Sequence, residues 1–554
     1  MPEKLRDLLG GLAALALGIA GYFVVFGWWP LIPTNIAFLD HADRAMHTLG
    51  WMFYRDVPWG VPPGSSPNLG VELANSIALV DGLPLFAVPL KLVALWLPRP
   101  FQYWGYWWLL CCLLQSVFAY LIAREMGARR LIAVLAAGFA LITPAFIFRL
   151  TLHMALAGHW VILAGLYLYV RRVPPRFYAW PLLLGIVSAI HAYLLAMVLA
   201  VWIAALVQRL WLKRIGWGRA AAEILVVAVV AVIVLWAVGF FYTGSLGSYG
   251  FGMYRLNLLW PFISYRDWSQ IIPDLPHGKY DYEGISFLGI GIFVLLGLSI
   301  LSGAVLKLKV LVGARWLPLI VAIVFLALCA LSNRIGFLDQ DVLTIPMGGP
   351  LDTIGGIFRS SGRFIWPLLY IVTIGSVVLL AWRFSPGWSL TVIALAFAVQ
   401  VVDSEPGWHA FAKNVPAPAS VWPTTMTSPL WDRAVAAGYT RIRSIPVDVG
   451  FGSDFKDPGY FAVSHDMDID IVYLGRIDDK ALDALKAREA DALLTGDFEP
   501  HTLYLLDDKS ALAAAQRATP ADLLATVDGH IVFARNGAFL VDGLGIAPHA
   551  ALAD

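Results

Sequence analysis

Residues 8–29, LLGGLAALALGIAGYFVVFGWW, are followed by Asp40-His41-Ala42-Asp43-Arg44-Ala45-Met46-His47-Thr48-Leu49-Gly50-Trp51, and the succession of these two stretches decides the fold. The first is 22 apolar residues, the length a helix needs to cross a bilayer at about 1.5 Å per residue. Lys4 and Arg6 precede it, and it ends in Trp28-Trp29-Pro30 rather than the small residues of a cleavage site. It therefore reads as an uncleaved signal anchor with a cytoplasmic N-terminus. The second stretch falls on the first external loop. Asp40 and Asp43 are three residues apart and His47 is four further on, so all three share one helical face. Acidic groups beside a membrane are costly and mark functional positions.

The whole chain agrees with a polytopic reading. Of its 554 residues 59% are hydrophobic and 14% charged, against about 25% charged in soluble domains, and the mean hydropathy is +0.72. A net charge of +1 excludes a general attraction to nucleic acid. Aromatic residues make up 13%, with 23 Trp, as interfacial belts and sugar-stacking surfaces require. Cys111, Cys112 and Cys329 fall inside apolar stretches and read as buried thiols without disulfides.

Basic clusters mark the cytoplasmic turns: Arg124, Arg129 and Arg130; Arg171, Arg172 and Arg176; Arg209, Lys213, Arg214 and Arg219; Lys307, Lys309 and Arg315. Between them lie apolar stretches near 103–123, 131–149, 155–170, 178–208, 221–241, 285–305, 316–333, 364–382 and 387–402. The fourth is too long for one span and divides near His191. With the first helix this gives about eleven crossings. Residues 81–98 hold Asp81, Pro84, Pro89 and Lys91 and read as an interfacial or re-entrant helix on the external face. The external loops are then 31–102, 242–284, 333–363 and everything after about 403. The expected fold is mainly α, a helical membrane bundle over 1–403, with a linker at 404–425 and a soluble α/β domain at 426–554. In that domain 469–474, 502–506 and 529–534 read as strands, and 481–494 and 511–517 as helices.

Asp40, Asp43 and His47 suit a carboxylate general base, and the D-x-x-D-x-x-x-H spacing suggests a divalent cation as the one candidate cofactor. The plainer reading is that Asp40 caps the following helix and the other charges are solvated. Arg359 and Arg363, four apart at an external mouth, suit a phosphate or diphosphate, against a plain role as interfacial anchors. The tyrosines of 242–284, Tyr249 among them, read mostly as an aromatic belt. Asp81, Tyr282, Glu283 and His191 are pocket candidates, whereas His153 and His159 read as ordinary surface or interface histidines. Asp466, Asp468 and Asp470 alternate and read as one solvated face. No nucleotide-binding loop, nucleophile elbow or zinc spacing occurs, so energy for a reaction must arrive with the substrate.

Asp43-Arg44-Ala45-Met46-His47-Thr48-Leu49-Gly50-Trp51, then Phe53 and Trp59, then Asp81-Gly82-Leu83-Pro84-Leu85, resemble a bacterial polytopic family of the GT-C glycosyltransferase superfamily related to YfhO-like membrane proteins. The family pattern resembles G-D-P-A-Q-H-x-x-G-W and a later D-S-I-P-L; here Ala42, Arg44, Met46 and Gly82-Leu83 depart from it. Tyr282-Glu283-Gly284-Ile285-Ser286-Phe287-Leu288-Gly289 and Phe358-Arg359-Ser360-Ser361-Gly362-Arg363 match in kind and order. The resemblance implies sugar transfer from a polyprenyl-phosphate donor to a glycan or lipid acceptor on the external face of a bacterial inner membrane. It makes Asp43 the base and Arg359 and Arg363 the groups that steady the leaving phosphate; Asp40 has no counterpart. The C-terminal domain, periplasmic in this scheme, would restrict access or select the acceptor. The competing class is a lipid or polysaccharide flippase, which calls for ionisable groups within its spans.

Overall fold

A computed structural model of the chain describes residues 3–73, 75–243, 250–306, 313, 315–414, 422–450, 452 and 454–547; Tyr249, Lys307 and Lys309 lie outside them. Its contacts divide the chain into two compact units, one formed by 1–33, 103–234 and 247–417, the other by 34–102, 235–246 and 418–554.

The first unit is helical. Among the described residues six helices are long and apolar enough to cross a membrane: Leu5–Phe26, Trp104–Glu125, Ala192–Trp211, Trp217–Ala237, Ser361–Arg383 and Pro386–Asp403. Arg130–Leu141 and Pro144–Thr151 would make a seventh if counted as one broken span, bent by 49°. The bend falls where Thr143 leaves the helical region ahead of Pro144, which lacks an amide hydrogen and disfavours helix in the residue before it. The eleven expected stretches are all helical, but Met154–Val170, Ala179–Ser188, Ile290–Leu301 and Leu317–Leu331 have only 10–17 residues. At 1.5 Å per residue they fall short of about 30 Å of hydrocarbon, so the count by length is six or seven rather than eleven. The expected break at His191 is present: its Nδ1 accepts the Tyr193 amide at 3.2 Å and caps Ala192–Trp211.

Close packing has its cause in small residues. A Cβ on Gly18 would stand 2.7 Å from the Cys112 carbonyl oxygen, so only glycine lets Leu5–Phe26 approach Trp104–Glu125 so closely. Cys111 and Cys112 are buried free thiols and Cys329 is a half-buried one. A hairpin of β1 (Arg334–Phe337) and β2 (Gln340–Thr344) also belongs to this unit. The expected linker begins as a helix, Glu405–Asn414.

The second unit is built on a five-stranded mixed sheet. Its strands are β3 (Arg441–Ile445), β4 (Asp468–Ile469), β5 (Thr502–Leu506), β6 (Leu523–Val527) and β7 (His530–Ala534), in the order β4-β3-β5-β7-β6. β3 runs parallel to β4 and β5, and β7 antiparallel to β5 and β6. Ile445, Phe498, Tyr504, Leu506 and Phe533 form the core on one face. The strand expected at 469–474 shrinks to β4, two residues long. Its edge is taken by the first loop: the Gly70 amide donates to the Ile469 carbonyl at 2.8 Å, and the Ile469 amide donates to the Asn68 carbonyl at 3.0 Å. Residues 34–102, expected to go with the membrane bundle, thus share a unit with the C-terminal domain.

Candidate functional site

Asp43 lies in the first turn of the helix Ala42–Asp56 and is half-buried, with His47 buried one turn on. Within its unit that helix is fixed at several points. The Trp51 indole donates to the Phe101 carbonyl at 2.9 Å, Gly50 rests against Val80, and the helix Lys456–Ser464 packs across it with Gly459 against Leu49. Asp40 does not cap the helix. The N-cap position is His41, which makes no side-chain capping bond. The carboxylate of Asp40 instead takes the Lys456 ammonium at 3.0 Å, an ion pair between residues 416 positions apart, which sequence spacing gives no means of finding. Burial pulls the Arg44 guanidinium down to about 10, against the Asp40 charge that raises it. His41 is lowered by burial and then by Arg44 and Lys456, with Asp40 opposing. Among the described residues no three His, Cys, Asp or Glu side chains gather into a group able to hold a metal ion, so Asp40, Asp43 and His47 do not form the expected cation array.

Asp81 is half-buried and begins a turn in which both it and Leu83 have positive φ, 50° and 52°. A leucine there is strained, and the strain is held by Gly82, whose amide bonds to the Ile77 carbonyl, and by the helix Pro84–Lys91 that follows.

In the helical unit the structure joins the two later motifs. Asp281–Gly284 and Ser361–Ile365 are short 3-10 turns that meet through glycine: a Cβ on Gly362 would lie 2.7 Å from the Arg255 carbonyl oxygen and 2.9 Å from Gly284 Cα. That approach brings Arg363 to Glu283, with Nε at 2.9 Å and Nη2 at 2.7 Å from Oε2. Arg149, from Pro144–Thr151, reaches the same Oε2 at 2.9 Å and the Glu283 carbonyl at 2.8 Å. Its Nη1 donates to His153 Nδ1 at 2.7 Å, and His153 Nε2 stands 3.8 Å from Glu283 Oε1. Two guanidiniums thus close on one buried carboxylate. Burial alone would raise that carboxyl; the charges of Arg149 and Arg363 outweigh it and hold it below the usual carboxylate range. The Glu283 carboxylate thus orients both arginines.

Tyr193 lies under Arg363, 4.7 Å from ring centre to guanidinium, and its hydroxyl accepts the Ser360 amide at 2.8 Å. Arg359 is half-buried over Tyr254 at 5.7 Å. Tyr282 is half-buried with its ring edge-on to Phe148. His191 is occupied in its cap. The two histidines expected at an interface are elsewhere. His159 is fully buried, its Nδ1 2.7 Å from the Tyr370 hydroxyl, and His153 belongs to the Glu283 cluster. Arg149 lies inside the apolar stretch 131–149, and an arginine in such a stretch is the sequence signal for this cluster.

The solvated acidic face expected at 466–470 is also corrected. Asp470 is fully buried and pairs with the fully buried Arg443 at 3.1 Å. Arg443 also binds Glu72 of the first loop at 2.7 Å and Glu499 at 3.0 Å. A single interior guanidinium turns Asp470 inward, because several carboxylates satisfy its donors there.

Residues 15–405 match the model of a domain of unknown function, DUF6311, and residues 430–535 match the DUF6311 C-terminal domain. The chain belongs to the DUF6311 family. A search of curated proteins finds no match. In this DUF6311 chain Asp43, Asp81, Glu283, Arg359 and Arg363 all fall in the first matched segment, and Arg443, Lys456 and Asp470 in the second.

Proposed function

We propose that the protein is a GT-C-type membrane glycosyltransferase that moves a sugar from a polyprenyl-phosphate donor to a glycan or lipid acceptor of the cell envelope. In this reading the helical unit crosses a bacterial inner membrane and the C-terminal domain is periplasmic. The observation that carries it is the convergence of Arg149 and Arg363, from separate segments, on the single carboxylate of Glu283. The three side chains sum to a formal charge of +1 in a buried cluster, and an anionic donor phosphate offsets that charge. Arg359, just before the turn that carries Arg363, adds a further guanidinium. In this reading Asp43 is the base for the acceptor hydroxyl that displaces the phosphate from the sugar, and the arginines stabilise the charge of the leaving phosphate.

The test is transfer by the purified chain in proteoliposomes, with radiolabelled polyprenyl-phosphate sugars and envelope acceptors. Transfer abolished by Asp43→Asn, with the variant still folded, supports the reading. Movement of the lipid-linked sugar across the bilayer without transfer, and unaffected by Asp43→Asn, would establish the flippase instead.

A further inference from the structure

The first loop carries an apolar knuckle that the proposed reaction does not use. After the helix Pro84–Lys91 the chain makes a short 3-10 turn, Ala94–Trp96. Leu92, Leu95 and Trp96 are 70%, 95% and 81% exposed, and Val61 of the neighbouring 59–62 segment is 81% exposed. Trp59 is 48% exposed beside it, tied in by the Lys91 ammonium that lies 4.9 Å from its ring and 4.0 Å from that of Tyr54. In the preceding helix Pro84, Ala87 and Lys91 are buried and Pro89 alone is exposed, so the large exposed apolar side chains lie on this turn and not on the helix.

Three features say what covers it. The backbone of the turn is prepared for a place with little water. The Arg55 guanidinium donates to the Ala94, Leu97 and Pro98 carbonyls at 2.9, 3.2 and 2.9 Å, so carbonyls that would otherwise need solvent are already satisfied. The charge around it is positive: Arg55, Lys91 and Arg99 against Asp56, which Arg99 binds at 2.7 Å, and Asp466, which faces Asp56, leave a formal +1. Finally, eight residues after Trp96 the chain enters Trp104–Glu125, one of the span-length helices. Leucine and tryptophan at the tip, cations behind them and a satisfied backbone are the attributes of a segment that rests in the headgroup layer of a bilayer with anionic lipids.

We infer that Leu92, Leu95 and Trp96, with Trp59 and Val61, form a docking surface for the bilayer, seating the first loop in the headgroup layer. The inference is independent of the reaction proposed above. It is tested on the full-length protein in nanodiscs of phosphatidylethanolamine and phosphatidylglycerol, with an environment-sensitive fluorophore on Leu95→Cys or Trp96→Cys. Lys509→Cys serves as an exposed control, and the parent chain sets the labelling background of Cys111, Cys112 and Cys329. The expected result at both knuckle sites is a blue-shifted probe, quenched by lipids carrying a shallow doxyl group and shielded from aqueous iodide, with the reverse at Lys509→Cys. Quenching by iodide and not by the doxyl lipids would overturn the inference. So would protection from both, which would mean that protein covers the knuckle. A second arm adds Leu92→Asp to Trp96→Cys, and the probe is expected to move from lipid toward water; an unchanged probe would also overturn it.

Discussion

Arg359 and Arg363 look alike in the sequence, yet the structure gives them different work. Arg363 is buried and holds Glu283 through two nitrogens, whereas Arg359 is half-buried over Tyr254. Arg359→Ala should therefore weaken donor use by about 1.5–3 kcal/mol, the worth of a charged hydrogen bond, and leave the unfolding midpoint unchanged. Arg363→Ala should weaken donor use and also destabilise the fold by about 3–5 kcal/mol, because it breaks a buried ion cluster. Donor titration beside thermal unfolding in detergent separates the two, and equal midpoints would undo the distinction. Arg443 offers a prediction in pH. Burial pushes the Asp470 carboxyl up to about 7, against the Arg443 charge and the Ser444 amide that lower it. Its folded value lies above the ordinary 3.8, so its contribution is fully present below that pH and is lost as pH rises through about 7. Glu72 runs the other way. Burial raises it, but bonds from Arg443 and Arg488 bring it to about 2, so its contribution is present above 4.5 and is lost as pH falls toward 2. Glu489 also faces Arg443, at 3.6 Å, and burial raises it too. Arg443→Met should cost about 3–5 kcal/mol at pH 8, with the deficit shrinking toward pH 5 as the stranded Asp470 and Glu489 take up protons. A deficit that does not vary over that range would show that these acids are not the cause.

At the scale of elements, what was legible followed local periodicity. β5 lies on the expected 502–506, β7 within the expected 529–534, and the helix Asp479–Thr495 contains the expected 481–494. The break at His191 was legible because the apolar run 178–208 exceeds one span. Failures came where partners are distant. The run 469–474 has strand composition, but only its first residue pairs with β3, and Ile469 is claimed from the other side by residues 68–70. β3 carries Arg441 and Arg443, so its alternation looks solvated, although its guanidiniums are neutralised by acids from four separate segments. The motifs around Glu283 and Arg363 were found singly, but their meeting depends on Gly284 and Gly362, whose role only the close approach reveals. The same dependence on a glycine gives a test at Lys456–Ser464. A Cβ at Gly459 would come 2.9 Å from Leu49 Cδ1, the end of a flexible side chain, so Gly459→Ala should be absorbed. Gly459→Leu should cost about 1–3 kcal/mol by overpacking, with much of it recovered in Gly459→Leu with Leu49→Ala. Thermal unfolding of the three variants checks this; no recovery in the double variant would mean that the two helices do not press on each other there.

For the whole molecule, the division of contacts changes what the C-terminal domain is expected to do. A domain that merely chose the acceptor could be removed with the first loop left intact. Here the loop draws structure from that domain: Lys456 holds Asp40, Arg443 and Arg488 hold Glu72, and Ile469 pairs with residues 68–70. Removing residues 418–554 would leave Asp40 and Glu72 without these cations, and would uncover Leu49 on the helix that carries Asp43. The Glu283 cluster has no such dependence, since Arg149, His153, Tyr193, Glu283 and Arg363 all belong to the helical unit. The cut belongs after Asn414 and not at Asp403, because the Asp403 carboxylate holds the Ser269 hydroxyl and the amides of Gln270 and Ile271. A chain ending at Asn414 should therefore still bind a polyprenyl phosphate, lose transfer altogether and show new protease cleavage within residues 34–102. Limited proteolysis, donor binding and transfer on the same detergent preparation decide the matter. A truncated chain that keeps a protease-resistant loop and transfers sugar to a wider range of acceptors would show that the loop folds by itself, and would return the C-terminal domain to acceptor selection alone.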